Sequence, residues 1–177
     1  SVVTHLIRLP VAESATADTP LAFALVMPIH ASPALQPDGT TAMADDALAR
    51  IDAALGAVKA NPTVPITFAP TPETLDGLAT LDAKIPDAAD RRLPGFARVA
   101  TTQQILGQTY VALDVGAWVA SSPPADVELN EQLLIGAEAV AARVGVRPDT
   151  LTIVTDESIT PDALTRFHFT GTNQLVI

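Results

Sequence analysis

Val64-Pro65-Ile66-Thr67-Phe68-Ala69-Pro70-Thr71-Pro72-Glu73-Thr74-Leu75 holds the reading on which the fold turns. A short run of β-branched and aromatic residues bounded by prolines reads as a strand. Thr71 then stands at a helix N-cap, Pro72 at the first helical position and Glu73 in the first turn, the residue types that open a helix. Thr160-Pro161-Asp162 repeats the device behind a second apolar run, Leu151 to Thr155. A strand passing directly into a helix, twice, implies parallel pairing through right-handed crossovers.

Working outward, Leu21 to His30 is a continuous apolar run, read as a strand buried on both faces. A Pro/Gly/Asp-rich loop follows. Leu48, Ile51, Leu55 and Val58 then mark one face of a helix over 44–60, with Asp45 and Asp46 complementing its N-terminal dipole and Asn61-Pro62 stopping it. Breakers at Pro86, Pro94 and Gly95 predict short helices over 82–107. Tyr110 to Val115 reads as the third strand. The longest helix is expected over 126–144, with Leu129, Leu133, Leu134, Ala137, Val140, Ala141 and Val144 as its apolar stripe and Gly145 as its C′ residue. Gly171 ends the helix opened by Thr160, and Gln174 begins a fifth strand.

The expected fold class is therefore α/β, with repeated β-α units and parallel strands in a partial (β/α) barrel. The alternative is a five-stranded doubly wound sheet. Residues 1–19 are expected to form an extended lead-in and residues 20–177 the barrel-like domain. Because Ile177 closes an apolar run, that domain is expected to be part of a longer protein.

Composition narrows the function classes. The 177 residues carry a formal net charge of −10, the opposite of a nucleic-acid-binding footprint, and no basic cluster suits an anionic membrane surface. Without cysteine there are no disulfides, thiolate metal sites or cysteine nucleophiles. The longest apolar run, Leu21 to Ile29, is too short to span a bilayer, so no membrane insertion by this segment is expected. Aromatics are 4% of residues, which disfavours a large ring-lined pocket.

In parallel α/β folds chemistry collects at the C-terminal ends of strands. Asp114, inside the apolar run 111–115, must be paired or at a mouth and is the first catalytic candidate, with Asp156 and Glu157 as possible partners in an acid pair. His30, Glu73 and Trp118 are candidate ligand-binding residues: an imidazole at a strand end, an acid beside a helix start, and a ring able to stack on a sugar or to plug the sheet end. The bland alternatives are a backbone-bonded loop histidine, dipole-complementing acids and a tryptophan that plugs the barrel or sheet end. No phosphate-binding glycine loop, Gly-x-Ser-x-Gly elbow or His-x-x-x-His pair occurs, so neither a cofactor nor a metal is expected.

Leu25-Val26-Met27-Pro28-Ile29-His30, Pro65 to Leu75, Tyr110 to Val115 before a long helix, and the closing Asp162-Ala163-Leu164 and Gly171 together resemble an uncharacterised actinobacterial family of secreted, membrane-anchored cell-envelope proteins. Members of that family carry a partial barrel akin to polysaccharide deacetylases and family 57 glycosidases. The resemblance spans about Leu21 to Ile177. It implies an extracytoplasmic domain working beside other domains of its parent chain, with cell-wall glycan as a possible partner. Deacetylases carry Thr-Phe-Asp-Asp-Gly on the first strand and a zinc-binding histidine pair, and neither is present here. The resemblance therefore implies a non-catalytic or degenerate domain that binds a glycan or protein or acts as scaffold. The alternative is a carbohydrate-active hydrolase using the strand-end carboxylates.

Overall fold

A computed structural model describes residues 24–121, 125–156 and 158–177. Strands β1 (Leu25–Ile29), β2 (Ile66–Pro70) and β3 (Gln104–Ile105) form one parallel sheet in the order β1-β2-β3, and β4 (Thr152–Val154) and β5 (Gln174–Val176) form a second parallel pair. Helix α1 (Asp45–Ala60) links β1 to β2. Helices α2 (Pro72–Asp82) and α3 (Arg92–Ala100) link β2 to β3. Helices α4 (Val115–Ser121) and α5 (Ala125–Val144) lie between β3 and β4, and α6 (Pro161–Phe169) links β4 to β5. The fold is thus mixed α/β with six helices and two small parallel sheets among the described residues. Among the described residues it is not the single five-stranded sheet of the doubly wound alternative: there β1 pairs with β2 alone, whereas that order needs β1 between two neighbours.

One residue couples the two sheets. Beyond β3, Leu106 bridges Asp149 in parallel, through Asp149 N to Ile105 O at 2.8 Å and Gly107 N to Asp149 O at 2.6 Å. The Asp149 side chain reinforces the junction, accepting from Leu151 N at 2.8 Å and from Gln104 Nε2 at 3.0 Å.

Two apolar clusters follow from this division. The larger packs β1, β2 and β3 against α1, α2, α3 and α5 around Phe68, Leu75, Leu78, Phe96 and Val140, with the Phe68 and Phe96 rings edge to face at 5.6 Å. The smaller joins α4, α5, β4 and α6 around Leu129, Ile153, Ala163 and Phe167. Buried Asp82 adds a polar contact at the edge of the larger cluster: its Oδ2 accepts from Leu93 N at 2.7 Å and so satisfies an orphan donor of α3's first turn.

Three expectations are corrected. Residues 110–114 are loop rather than the third strand, and Val115 already begins α4; the third strand is the two-residue β3 upstream. Apolar character alone led to that reading, but the backbone of this segment bonds to helices: Tyr110 N donates to Gln132 O at 3.1 Å, and Glu73 N donates to Tyr110 O at 3.0 Å. Second, the buried stripe of α5 departs from the expected one at Leu134. Leu129, Val140 and Val144 are buried, but Leu134 is 57% exposed and the small residue Gly136 faces inward instead. A Cβ at Gly136 would collide with the Gln108 carbonyl oxygen and crowd Tyr110 N and Pro72, so only glycine lets α5 lie against the 108–110 loop. Third, Thr71 makes no side-chain cap bond, whereas Thr160 does, its Oγ1 accepting from Ala163 N at 3.2 Å.

Other boundaries agree closely. Helix α1 matches the expected 44–60, and Gly145 (φ 74°) and Gly171 (φ 90°) take the left-handed conformation that closes α5 and α6. The lead-in 1–19, with His5, and the first residues of the expected first strand lie outside the described residues.

Gly136→Ala should cost about 1–3 kcal/mol by overpacking against a backbone that cannot rotate away, lowering Tm by roughly 2–4 °C per kcal/mol. Exposed Gly56, with nothing within 4 Å of a would-be Cβ, is the control: Gly56→Ala should stabilise by about 0.5–1 kcal/mol. Urea denaturation of both variants checks the pair; a neutral Gly136→Ala would show that the α5 contact is not constraining.

Candidate functional site

A cavity of about 210 Å³ opens at the C-terminal ends of the strands, between the two sheets. Each wall comes from the residues that follow a strand. His30 follows β1 and Thr71 follows β2. The 108–113 loop follows β3, and Thr155 and Asp156 follow β4. Ile153 and Phe167 bring the smaller apolar cluster to its surface. Parallel strands deliver their ends to one side of the sheet, so a site there is a consequence of the topology.

His30 and Thr71 are joined. The His30 Nδ1 lies 3.2 Å from Thr71 Oγ1, which explains why Thr71 does not cap α2: its hydroxyl is turned toward the imidazole. Thr71 N in turn donates to Ile29 O at 2.9 Å and extends the β1–β2 ladder by one bond. The imidazole is exposed, while Thr71 is 8% exposed. The ring is thus held by one nitrogen, and Nε2 remains its other hydrogen-bonding atom.

The acids divide sharply. Asp156 lines the cavity; its Oδ1 accepts from Ser158 N at 2.9 Å and from the Ser158 hydroxyl. The Ser158 hydroxyl and then its amide hold this carboxyl below the ordinary carboxylate range. Asp114, the first candidate, does not line the cavity: it is exposed and its Oδ1 accepts from Ala117 N at 2.9 Å, capping α4. Asp114 needs no buried partner, because it stands exposed at the end of the 110–114 loop rather than inside a buried strand. Glu73 also lies outside the lining. Its Oε1 accepts from Ala34 N at 2.6 Å and Leu35 N at 3.2 Å, pinning the loop after β1 to α2. Buried Thr74 supports the same loop, accepting from Ala31 N at 3.2 Å. Trp118 is half-buried and packs on the smaller apolar cluster rather than lining the cavity. Glu157 lies outside the described residues.

Sequence reasoning missed the residues that carry the cavity's third wall. Tyr110 donates its hydroxyl to Asp76 Oδ2 at 2.7 Å, and Arg143 of α5 pairs with Asp76 Oδ1. This triad ties the 108–113 loop to both α2 and α5. Burial first, then the hydrogen bond to Asp76, push the phenol up to about 12. No local signal announces such a triad, because Asp76 and Arg143 are 67 residues apart.

Chemically, the cavity offers one imidazole tied to a hydroxyl and, among its described lining residues, one carboxylate. Hydrogen bonding to hydroxyl-bearing ligands is within its reach. Two-carboxylate glycoside hydrolysis needs a second acid within about 5–9.5 Å, and among the described residues Asp156 is the one carboxylate that lines the cavity. No group of three metal-ligating side chains occurs among the described residues. Among them, too, no helix is long and apolar enough to cross a membrane. In comparisons with known proteins, no family model matches the chain and no curated protein matches it.

Tyr110 is the single tyrosine of the chain, so phenolate absorbance reports it alone. A folded phenol titrating near 12, against about 10 in the unfolded chain, stabilises fully below pH 10, and that contribution is lost as pH rises through 12. Asp76→Asn should bring the absorbance midpoint down; an unchanged midpoint would refute the triad. Ser158→Ala should raise the Asp156 pKa toward the ordinary carboxylate value, read by carboxyl NMR titration. The sign is that of a depressed acid: the stabilisation is present above the unfolded pKa and is lost as pH falls through the folded one.

Proposed function

We propose that this chain is an arc of a (β/α) barrel, a domain of a secreted cell-envelope protein, and that it binds a glycan at the strand-end cavity without cleaving it. Two features support the arc: the sequential parallel order β1-β2-β3, and the bridge of Leu106 to Asp149 that leads on to β4-β5. The single observation that carries the binding reading is the cavity itself, lined by both polar and apolar groups at the functional end of the strands, with Asp156 as the one acid among its described lining residues. An extracytoplasmic setting, neighbouring domains of the parent chain and cell-wall glycan as partner follow from the sequence resemblance. The scaffold role of such a domain is compatible with glycan binding, since the cavity occupies only one end of the sheets.

The test is retention on insoluble bacterial cell-wall polysaccharide, run beside assays for released reducing sugar and released acetate. Retention should fall about tenfold in His30→Ala, the loss expected when one or two good hydrogen bonds are removed, with no product released by the parent protein. Release of reducing sugar or acetate that disappears in Asp156→Ala would overturn the non-catalytic reading in favour of a carbohydrate-active hydrolase.

A further inference from the structure

The cavity has a size and a charge pattern that say more about its ligand, given the binding reading just proposed, on which this step rests. At about 210 Å³ it is smaller than the roughly 300–1,000 Å³ of sites for drug-sized ligands, so it suits one small ring rather than a chain running through. Its lining is mixed. Pro28, Ala112 and Leu113 offer apolar surface, while His30, Thr71 and Asp156 offer hydrogen-bonding groups. A pyranose has the same character, with C–H groups on its faces and hydroxyls around its edge.

The charge is one-sided. Neither lysine nor arginine is among the described residues lining the cavity, and Asp156 contributes a negative charge. The chain as a whole is at −10. With the His30 imidazole neutral, a carboxylate or phosphate would enter without a counter-charge and meet Asp156. An ammonium group would meet it as a partner, through a charge-assisted hydrogen bond.

We infer that the cavity takes a single pyranose bearing an amino group in preference to a neutral one and excludes sugar acids, with Asp156 selecting charge and His30, oriented by Thr71, reading a hydroxyl. The ion pair is open to water, so the preference for amino over neutral sugar is modest, on the order of two- to fivefold. Discrimination against the acid is at least as large.

The experiment titrates the protein with glucosamine, methyl β-glucopyranoside and glucuronate, at a pH where the amine is protonated and the acid ionised. Backbone amide NMR shifts of Thr71 and Thr155 report the cavity. Affinities should fall in the order amino, neutral, acidic, and Asp156→Asn should bring all three within about twofold of one another. His30→Ala should weaken all three alike. A readout on the unaltered protein is the salt dependence: the amino-to-neutral ratio should shrink toward one as ionic strength rises and the Debye length contracts. Glucuronate binding as tightly as the glucoside, or an order untouched by salt and by Asp156→Asn, would overturn the inference. Cell-wall polysaccharide retention that falls in His30→Ala, with glucosamine binding the cavity no tighter than the glucoside, would overturn it too, yet leave the broader glycan reading standing. No response to any of these sugars, together with no retention on cell-wall polysaccharide, would remove both.

Discussion

Three backbone hydrogen bonds at one place govern the rest of this structure. Leu106 N donates to Phe68 O at 2.8 Å, Asp149 N to Ile105 O, and Gly107 N to Asp149 O. They tie a two-residue strand to β2 on one side and to the lead-in of β4 on the other. Because the junction is one bridge wide, the five strands form two small sheets rather than one broad one. Gly107 sits where a side chain would press on Asp149 O at 3.2 Å. The chain leaves the sheet at that point, where a longer β3 would have carried it straight on.

The cavity is a product of that departure. The 108–113 loop swings over the strand ends and is held there by helices, through Tyr110 N on Gln132 O, Glu73 N on Tyr110 O, and the Tyr110–Asp76–Arg143 triad. Gly136 makes the geometry possible by letting α5 meet the loop backbone directly. Each anchor serves shape rather than chemistry, and so do Asp114 and Glu73, whose carboxylates satisfy backbone donors of α4 and of the loop after β1. What is left facing the cavity is a small polar set around His30, Thr71 and Asp156. That division of labour explains why a chain with 20 acidic residues presents one described carboxylate to its cavity.

Local chemistry made much of the architecture legible. The Thr-Pro-acid device located the starts of α2 and α6, the 3.6-residue apolar rhythm located α1, and Gly145 and Gly171 marked helix ends that no other residue type closes as cheaply. His30 and Asp156 were also legible as strand-end residues, because they directly follow runs whose strand character is local. Asp114 was misread for the complementary reason. Val111 to Val115 has strand composition, but its backbone partners are on helices, and apolar content alone does not say which partner a backbone will take.

From the amino-acid sequence by itself came the α/β class, the parallel sense of the strands, most helix boundaries, the acidic charge that disfavours nucleic acid, and two of the residues at the cavity. Each depends on neighbours within a few positions or on a count. Tertiary structure alone decided the split into two sheets, the place of β3, the close approach of α5 to the 108–110 loop at Gly136, and the turning of the Thr71 hydroxyl from its cap to His30. These all depend on backbone and side-chain contacts between residues about 20 to more than 60 positions apart, where packing and hydrogen-bond satisfaction outweigh local preference.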